Sequence, residues 1–191
     1  MNRIKRVAIP TYDRVLLDSC KWHLKVTTTD EDALLGLYFD GVIAACENKL
    51  QTAILDTNFQ LHAKAFCTHL GLQKKWVSAI NSVKYFDADG VEQTVGASNY
   101  SLQDYKDPNV LYFDKDYSFP DTDDREFPVT VDFNAGFTSA SSILPNIRNA
   151  IFLEIADRYE NRQNELVGDR LAVVVFNNTA DTLLDAEALW I

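Results

Sequence analysis

The hydrophobic period of the chain changes twice, and the two changes constrain what it can fold into. Leu34, Leu35, Tyr38, Val42, Ala45, Cys46 and Lys49-Leu50 recur at three- and four-residue steps, which marks an amphipathic helix of about five turns. From Asn58 the step becomes two, and Phe59-Gln60-Leu61-His62-Ala63-Lys64-Ala65-Phe66 alternates as a strand does. Val129, Val131 and Phe133 alternate again with Thr130, Asp132 and Asn134. Steps of four then return at Ile147, Ile151, Ile155 and Tyr159, behind a proline, Pro145, at a position where helices commonly start. A chain that is helical, then β, then helical is α+β with its strands grouped, not alternating βαβ.

Local signals sharpen this outline. Asp18 caps a short helix through Leu24, and Thr29-Asp30-Glu31-Asp32 has the form of a capping box, weakened by Asp32 in place of Glu. The spacing predicts helices over about 18–24, 30–50 and 145–162 and a β region over about 58–135. Further strands are expected from Trp76 through Tyr85, at Ser98–Leu102 and at Val110–Phe113. Residues 1–17 read as an extended arm. Beyond Gly168 lie an apolar run, Leu171 to Phe176, and a short helical pattern from Thr182 to Trp190. The expected architecture is a small helical bundle with an inserted antiparallel β-hairpin or small sheet and extended terminal arms. It comprises a main domain over 1–168 and a tail over 169–191. That tail is too apolar to stand in water alone. Phe176, Leu183, Leu184, Leu189, Trp190 and Ile191 read as a docking segment that buries itself on a partner.

Charge narrows the partners. With 28 acidic against 18 basic residues the net formal charge is -10, which repels duplex DNA and anionic lipid. An acidic wall suits a passage through which DNA slides without sticking. Three widely spaced cysteines, Cys20, Cys46 and Cys67, make no disulfide framework and fit a reducing compartment. The basic N-terminus lacks the apolar run of a signal peptide, and no stretch nears ~18 apolar residues, so no membrane partner is expected.

The candidate chemical motifs resolve into structure. Asp87-Ala88-Asp89-Gly90 begins like a calcium loop, but the sixth and twelfth positions hold Glu92 and Ser98 where Gly and Glu are needed. Asp-Gly between alternating stretches is a hairpin signal, so Asp87, Asp89 and Gly90 are assigned to a tight turn. Asp121, Asp123, Asp124 and Glu126 form an acidic loop with no ligand spacing, read as a charged wall facing a channel or a partner. Cys67 with His62 and His69 lacks a paired zinc element and reads as a buried Cys with surface His residues. The serines at 139–142 are not a nucleophile elbow, and no Gly-rich phosphate loop is present. No cofactor and no catalytic constellation is expected.

Several segments, taken in order, resemble the head–tail connector (adaptor or head-completion) proteins of tailed bacteriophages. They are Lys21-Trp22-His23-Leu24-Lys25-Val26, the acidic helix start Asp30 to Leu35, and Ala44-Ala45-Cys46-Glu47. The central hairpin Val83 to Leu102, the strand Val129 to Phe137 and the helix Ile143 to Arg162 follow, the last ending in Tyr159-Glu160-Asn161-Arg162. Leu183-Leu184-Asp185 with Trp190 is similar to the family's terminal element, although Ala186-Glu187-Ala188 replaces its Pro-Tyr-Arg. The likeness spans most of residues 16–190. It implies a non-enzymatic virion protein, made in the host cytoplasm, that forms a ring, typically twelvefold, beneath the portal. Its implied partners are the portal, a tail or stopper protein and further copies of itself, with DNA passing through unbound. The alternatives are a stopper or tail-completion protein, richer in β structure, and a small metal-dependent hydrolase built on Asp121, Asp123 and Asp124.

Overall fold

A computed structural model describes residues 2–7, 14–161 and 179–188, which belong to two compact units. One is a β unit formed by residues 52–138 together with the N-terminal strand. The other is a helical unit formed, among the described residues, by 14–51, 139–161 and 179–188. The fold is thus α+β, with the β unit inserted in sequence between two helices.

The β unit holds two antiparallel sheets. Strands β1 (Arg3–Arg6), β2 (Thr57–Ala63), β4 (Val77–Phe86), β5 (Glu92–Thr94) and β8 (Val129–Ala135) form the larger sheet, in the order β1-β2-β8-β4-β5. Strands β3 (His69–Gly71), β6 (Tyr100–Gln103) and β7 (Val110–Phe113) form the smaller, in the order β3-β7-β6. The insert is therefore larger than the hairpin or small sheet expected. Part of the supposed N-terminal arm is an edge strand, with Ile4 opposite Leu61. Trp76 lies just outside β4 at φ +53°.

Both sheets share one core. Every second residue of β8, namely Val129, Val131, Phe133 and Ala135, is fully buried beneath Phe59 and Leu61 of β2, Val83 of β4 and Leu111 and Phe113 of β7. Each such aliphatic or aromatic side chain contributes about 1.5–3 kcal/mol when buried. At the end of β8 the chain crosses its own backbone. Gly136 has φ +115°, and a Cβ added there would lie 2.4 Å from the carbonyl oxygen of Leu55.

The helical unit contains α1 (Arg14–Leu24), α2 (Asp32–Leu50), α3 (Pro145–Glu160) and α4 (Thr179–Asp185). The helix α1 starts before Asp18. The side chain of Thr29 does not cap α2, whose first turn is instead tied down by a Lys21–Asp32 ion pair and a hydrogen bond from the Tyr159 hydroxyl to Glu31. The helices α2 and α3 pack together, with Ile147, Ile151 and Ile155 wholly buried as the four-residue step predicts. On α2 the buried series is Leu35, Phe39, Val42, Ile43, Cys46 and Leu50, whereas Leu34 and Tyr38 are half-buried and Ala45 is exposed. This helix is apolar nearly all the way round, so the period alone does not choose which side turns inward.

Gly136→Ala is expected to lower unfolding free energy by roughly 2 kcal/mol or more, because both the positive φ and the backbone approach to Leu55 oppose a side chain. Urea denaturation measures this, and an unchanged midpoint would show that the crossing relaxes freely.

Candidate interaction site

The turn and the acidic loop come together at one end of the β unit. Strands β4 and β5 pair across residues 87–90, where Gly90 stands at φ +77° and its N–H donates to the Asp87 carbonyl at 2.9 Å. The Asp87 carboxylate accepts from the Asp89 N–H at 3.1 Å, the Val91 N–H at 2.9 Å and the Gln93 side chain at 2.8 Å. The Gln93 bond first, then the Val91 N–H, hold this carboxyl below the usual aspartate range.

The loop is stitched to this hairpin. The Asp123 N–H donates to the Phe86 carbonyl at 3.2 Å, and Asp87 bridges Thr122 as in an antiparallel pair. Arg125 lies over the Phe86 ring, 3.4 Å from its centroid, while its Nε donates to Asp123 at 2.6 Å. A guanidinium stacked on an aromatic face and forked to a carboxylate fixes both segments at once. The pattern of the sequence concealed Arg125 as one cation among four acids. Of those, Asp121, Asp124 and Glu126 remain exposed, with Glu126 3.9 Å from Lys64. Asp123 is thus already engaged, and among the described residues no three His, Cys, Asp or Glu side chains are gathered to hold a metal. Cys67 is exposed, not buried as expected, and its thiol donates to the His69 carbonyl at 3.2 Å. Cys20 and Cys46 are the buried thiols, each pushed up to about 12 by burial.

A polar network on the outer face of the large sheet went unread in the sequence. Asp132 accepts from Asn58 at 2.7 Å, Asn81 at 2.8 Å and Gln60 at 3.1 Å. Asn134 donates to Asp56 at 2.8 Å and accepts from Asn81 at 2.9 Å. Burial works to raise the Asp132 carboxyl, but bonds from Asn81, Asn58 and Gln60, aided by the Lys84 charge, hold it below the ordinary range. The side-chain amides of Asn58, Gln60, Asn81 and Asn134 thus donate to protein acceptors.

The tail residues divide. Leu184 is 3% exposed, buried within its own helical unit, and Leu183 is half-buried on the same helix. That helix is clamped by Lys49, which reaches Asp181 at 2.6 Å and Asp185 at 3.0 Å. Phe176, Leu189, Trp190 and Ile191 lie outside the described residues.

The fold is α+β, with an acidic hairpin stitched to its loop and a hydrogen-bonded polar network on the large sheet. No family model and no curated protein matches the chain. Solved structures do. It is similar to a chain in the virion of a native gene transfer agent particle, with TM-score 0.74 and 23% identity over 98% of this chain and 96% of that one. It is likewise similar to chains in the neck of an empty gene transfer agent particle, described in C6 symmetry (TM-score 0.73, 24% identity), and of a native one, in C12 symmetry (0.71, 22%). These two cover 99% of this chain and 96% of theirs. The likeness establishes the fold.

Asp132→Asn is expected to cost roughly 1 kcal/mol at pH 7, where the carboxylate is ionised and hydrogen-bonded. Because the folded carboxyl is held below its unfolded value, this contribution is present above the ordinary aspartate range and fades as pH falls through the folded value. Denaturation at pH 7 and about pH 3 should therefore show the gap between variant and wild type closing, and a gap independent of pH would contradict the assignment.

Proposed function

We propose that this chain is a structural neck protein of a tailed-phage-type particle, an adaptor that forms a ring beneath the portal and extends the DNA channel toward the tail. The observation that carries the reading is the match of fold along 98–99% of the chain to components of gene transfer agent virions and necks. The sixfold and twelfold symmetry of those necks supports a ring. The chemistry of the chain agrees with the role. A net charge of -10 disfavours capture of DNA, and the sheet face around Asp132 has its amide donors already committed. The stitched hairpin and loop, with Asp121 and Asp124 exposed, offer a surface to a neighbouring component. In this reading the apolar residues Phe176, Leu189, Trp190 and Ile191 serve portal or subunit docking, while Leu184 stabilises its own unit.

One observation favours a stopper as the second reading: the described residues hold eight strands in two sheets, more β structure than the sequence suggested. Particles assembled without this chain separate the two. Loss of an adaptor should leave heads whose portals are bare and which carry neither stopper nor tail in electron micrographs. Loss of a stopper should leave a ring still seated on the portal of tailless heads. Normal tailed particles would overturn both.

A further inference from the structure

The helix α4 is seven residues long, too short to hold in water by itself, so it depends on what it docks against. It packs on α2 and α3 and buries Ala180, Leu184 and, just beyond its end, Ala188, a row at four-residue steps. Polar contacts fix its position along that row. Lys49, in the last turn of α2, donates to the Asp181 carboxylate at 2.6 Å and carbonyl at 3.0 Å, and pairs with Asp185 at 3.0 Å. Asn146, in the first turn of α3, donates to Glu187 at 3.1 Å. Together α2 and α3 form a receptor for a helix with Ala, Leu and Ala at four-residue steps and an acid after each of the first two.

The occupant of this receptor is therefore known: it is the α4 of this sequence. Which copy supplies it depends on the connection. Residues 162–178 join Asn161, which follows α3, to Thr179. A chain of that length reaches ~55 Å when extended, whereas α3, whose first turn lies beside the end of α4, is about 24 Å long. Connections between helices of a bundle commonly take about 2–8 residues, so this one is far longer than a return along α3 needs. Compact proteins of 191 residues have a radius of gyration of about 16 Å, which puts the receptor of an adjacent copy within that reach.

We propose that in the assembled ring the α4 of each copy occupies the α2–α3 receptor of the next, so that Lys49 of one copy clamps Asp181 and Asp185 of its neighbour. The proposal rests on the neck reading and names the contact between ring neighbours. The exchanged contacts are those the free chain makes within itself, so the exchange sacrifices none of them. The portal tips the balance by seating copies side by side, which raises the effective concentration of each receptor at its neighbour's α4. A helix on one side and a receptor on the other are unlike surfaces, and a head-to-tail contact between unlike surfaces closes into a ring where the rotation allows.

Charge reversal on separate chains tests the exchange. One variant carries Lys49→Glu, the other Asp181→Lys with Asp185→Lys. The clamp residues are partly exposed, so both should keep their fold. Each full-length chain is titrated onto the purified portal of the same particle, and bound copies are counted by native mass spectrometry. Alone, each variant sets like charges against each other at the clamp and should need about tenfold more protein than wild type to fill the ring. An equal mixture should fill it within about threefold of wild type, with the two chains bound one to one, because alternation round an even-membered ring matches every clamp between chains. A chain carrying all three changes should do as well. If α4 stays on its own receptor, mixing mends neither variant. A mixture or a triple variant no better than the separate variants therefore overturns the exchange and leaves the neck reading standing, as do separate variants that fill the portal like wild type. A wild-type chain that places no ring on the portal overturns the neck reading and the exchange with it.

Discussion

Strand β8 is the element on which the β unit depends. It pairs on both sides, with β2 from Thr57↔Ala135 to Ala63↔Val129 and with β4 from Val77↔Ala135 to Tyr85↔Val129. Its alternation sends four apolar side chains into the shared core and sends Thr130, Asp132 and Asn134 outward. A one-residue slip would exchange the two sets, burying a carboxylate and exposing Phe133. The same register that fills the core therefore also builds the hydrogen-bonded outer face, since Asn58, Gln60 and Asn81 reach Asp132 only from their present positions on the flanking strands.

What could be read from the sequence was what is local and periodic. The alternation of 129–134, the Asp-Gly turn and the four-residue step of α3 each state their geometry within a few residues, and each element stands where it was expected. The inner side of α2 was not legible because Leu34, Leu37 and Tyr38 compete with Leu35 and Phe39, and only the position of α3 decides between them. Strand β1 was hidden for a different reason. Arg3-Ile4-Lys5-Arg6 carries one apolar residue, as befits a charged edge, and its partner lies more than fifty residues away at Phe59–His62. Of the candidate site, the turn was visible. Its union with the acidic loop was not, because Phe86, Asp123 and Arg125 announce no spacing. Asn109 is a similar case. Its buried side chain ties the Val77 N–H to the Asp104 and Lys106 carbonyls, with nothing in the pattern to mark it.

Opposed electrostatic demands run through the molecule. The chain as a whole is acidic, yet several of its lysines and arginines are engaged at structural joints. Lys21 ties α1 to α2, Lys49 clamps α4, Lys75 reaches Asp107 at 2.7 Å and Arg125 fixes the hairpin end. Partly exposed pairs of this kind contribute modestly each. Their effect is to set the shape of surfaces while leaving the excess of carboxylates outside. In the proposed neck role, such an arrangement would offer signed surfaces to protein neighbours while disfavouring capture of DNA.

The central claim, that this chain is a ring component of a head–tail neck, is tested most directly by a reconstruction of the head–tail junction of intact particles that carry it. The account predicts a layer of density directly beneath the portal into which each of the two units can be placed, repeated around the channel axis in one copy per subunit of the ring. A junction in which neither unit fits that layer, or in which the chain is found only elsewhere in the particle, would contradict it.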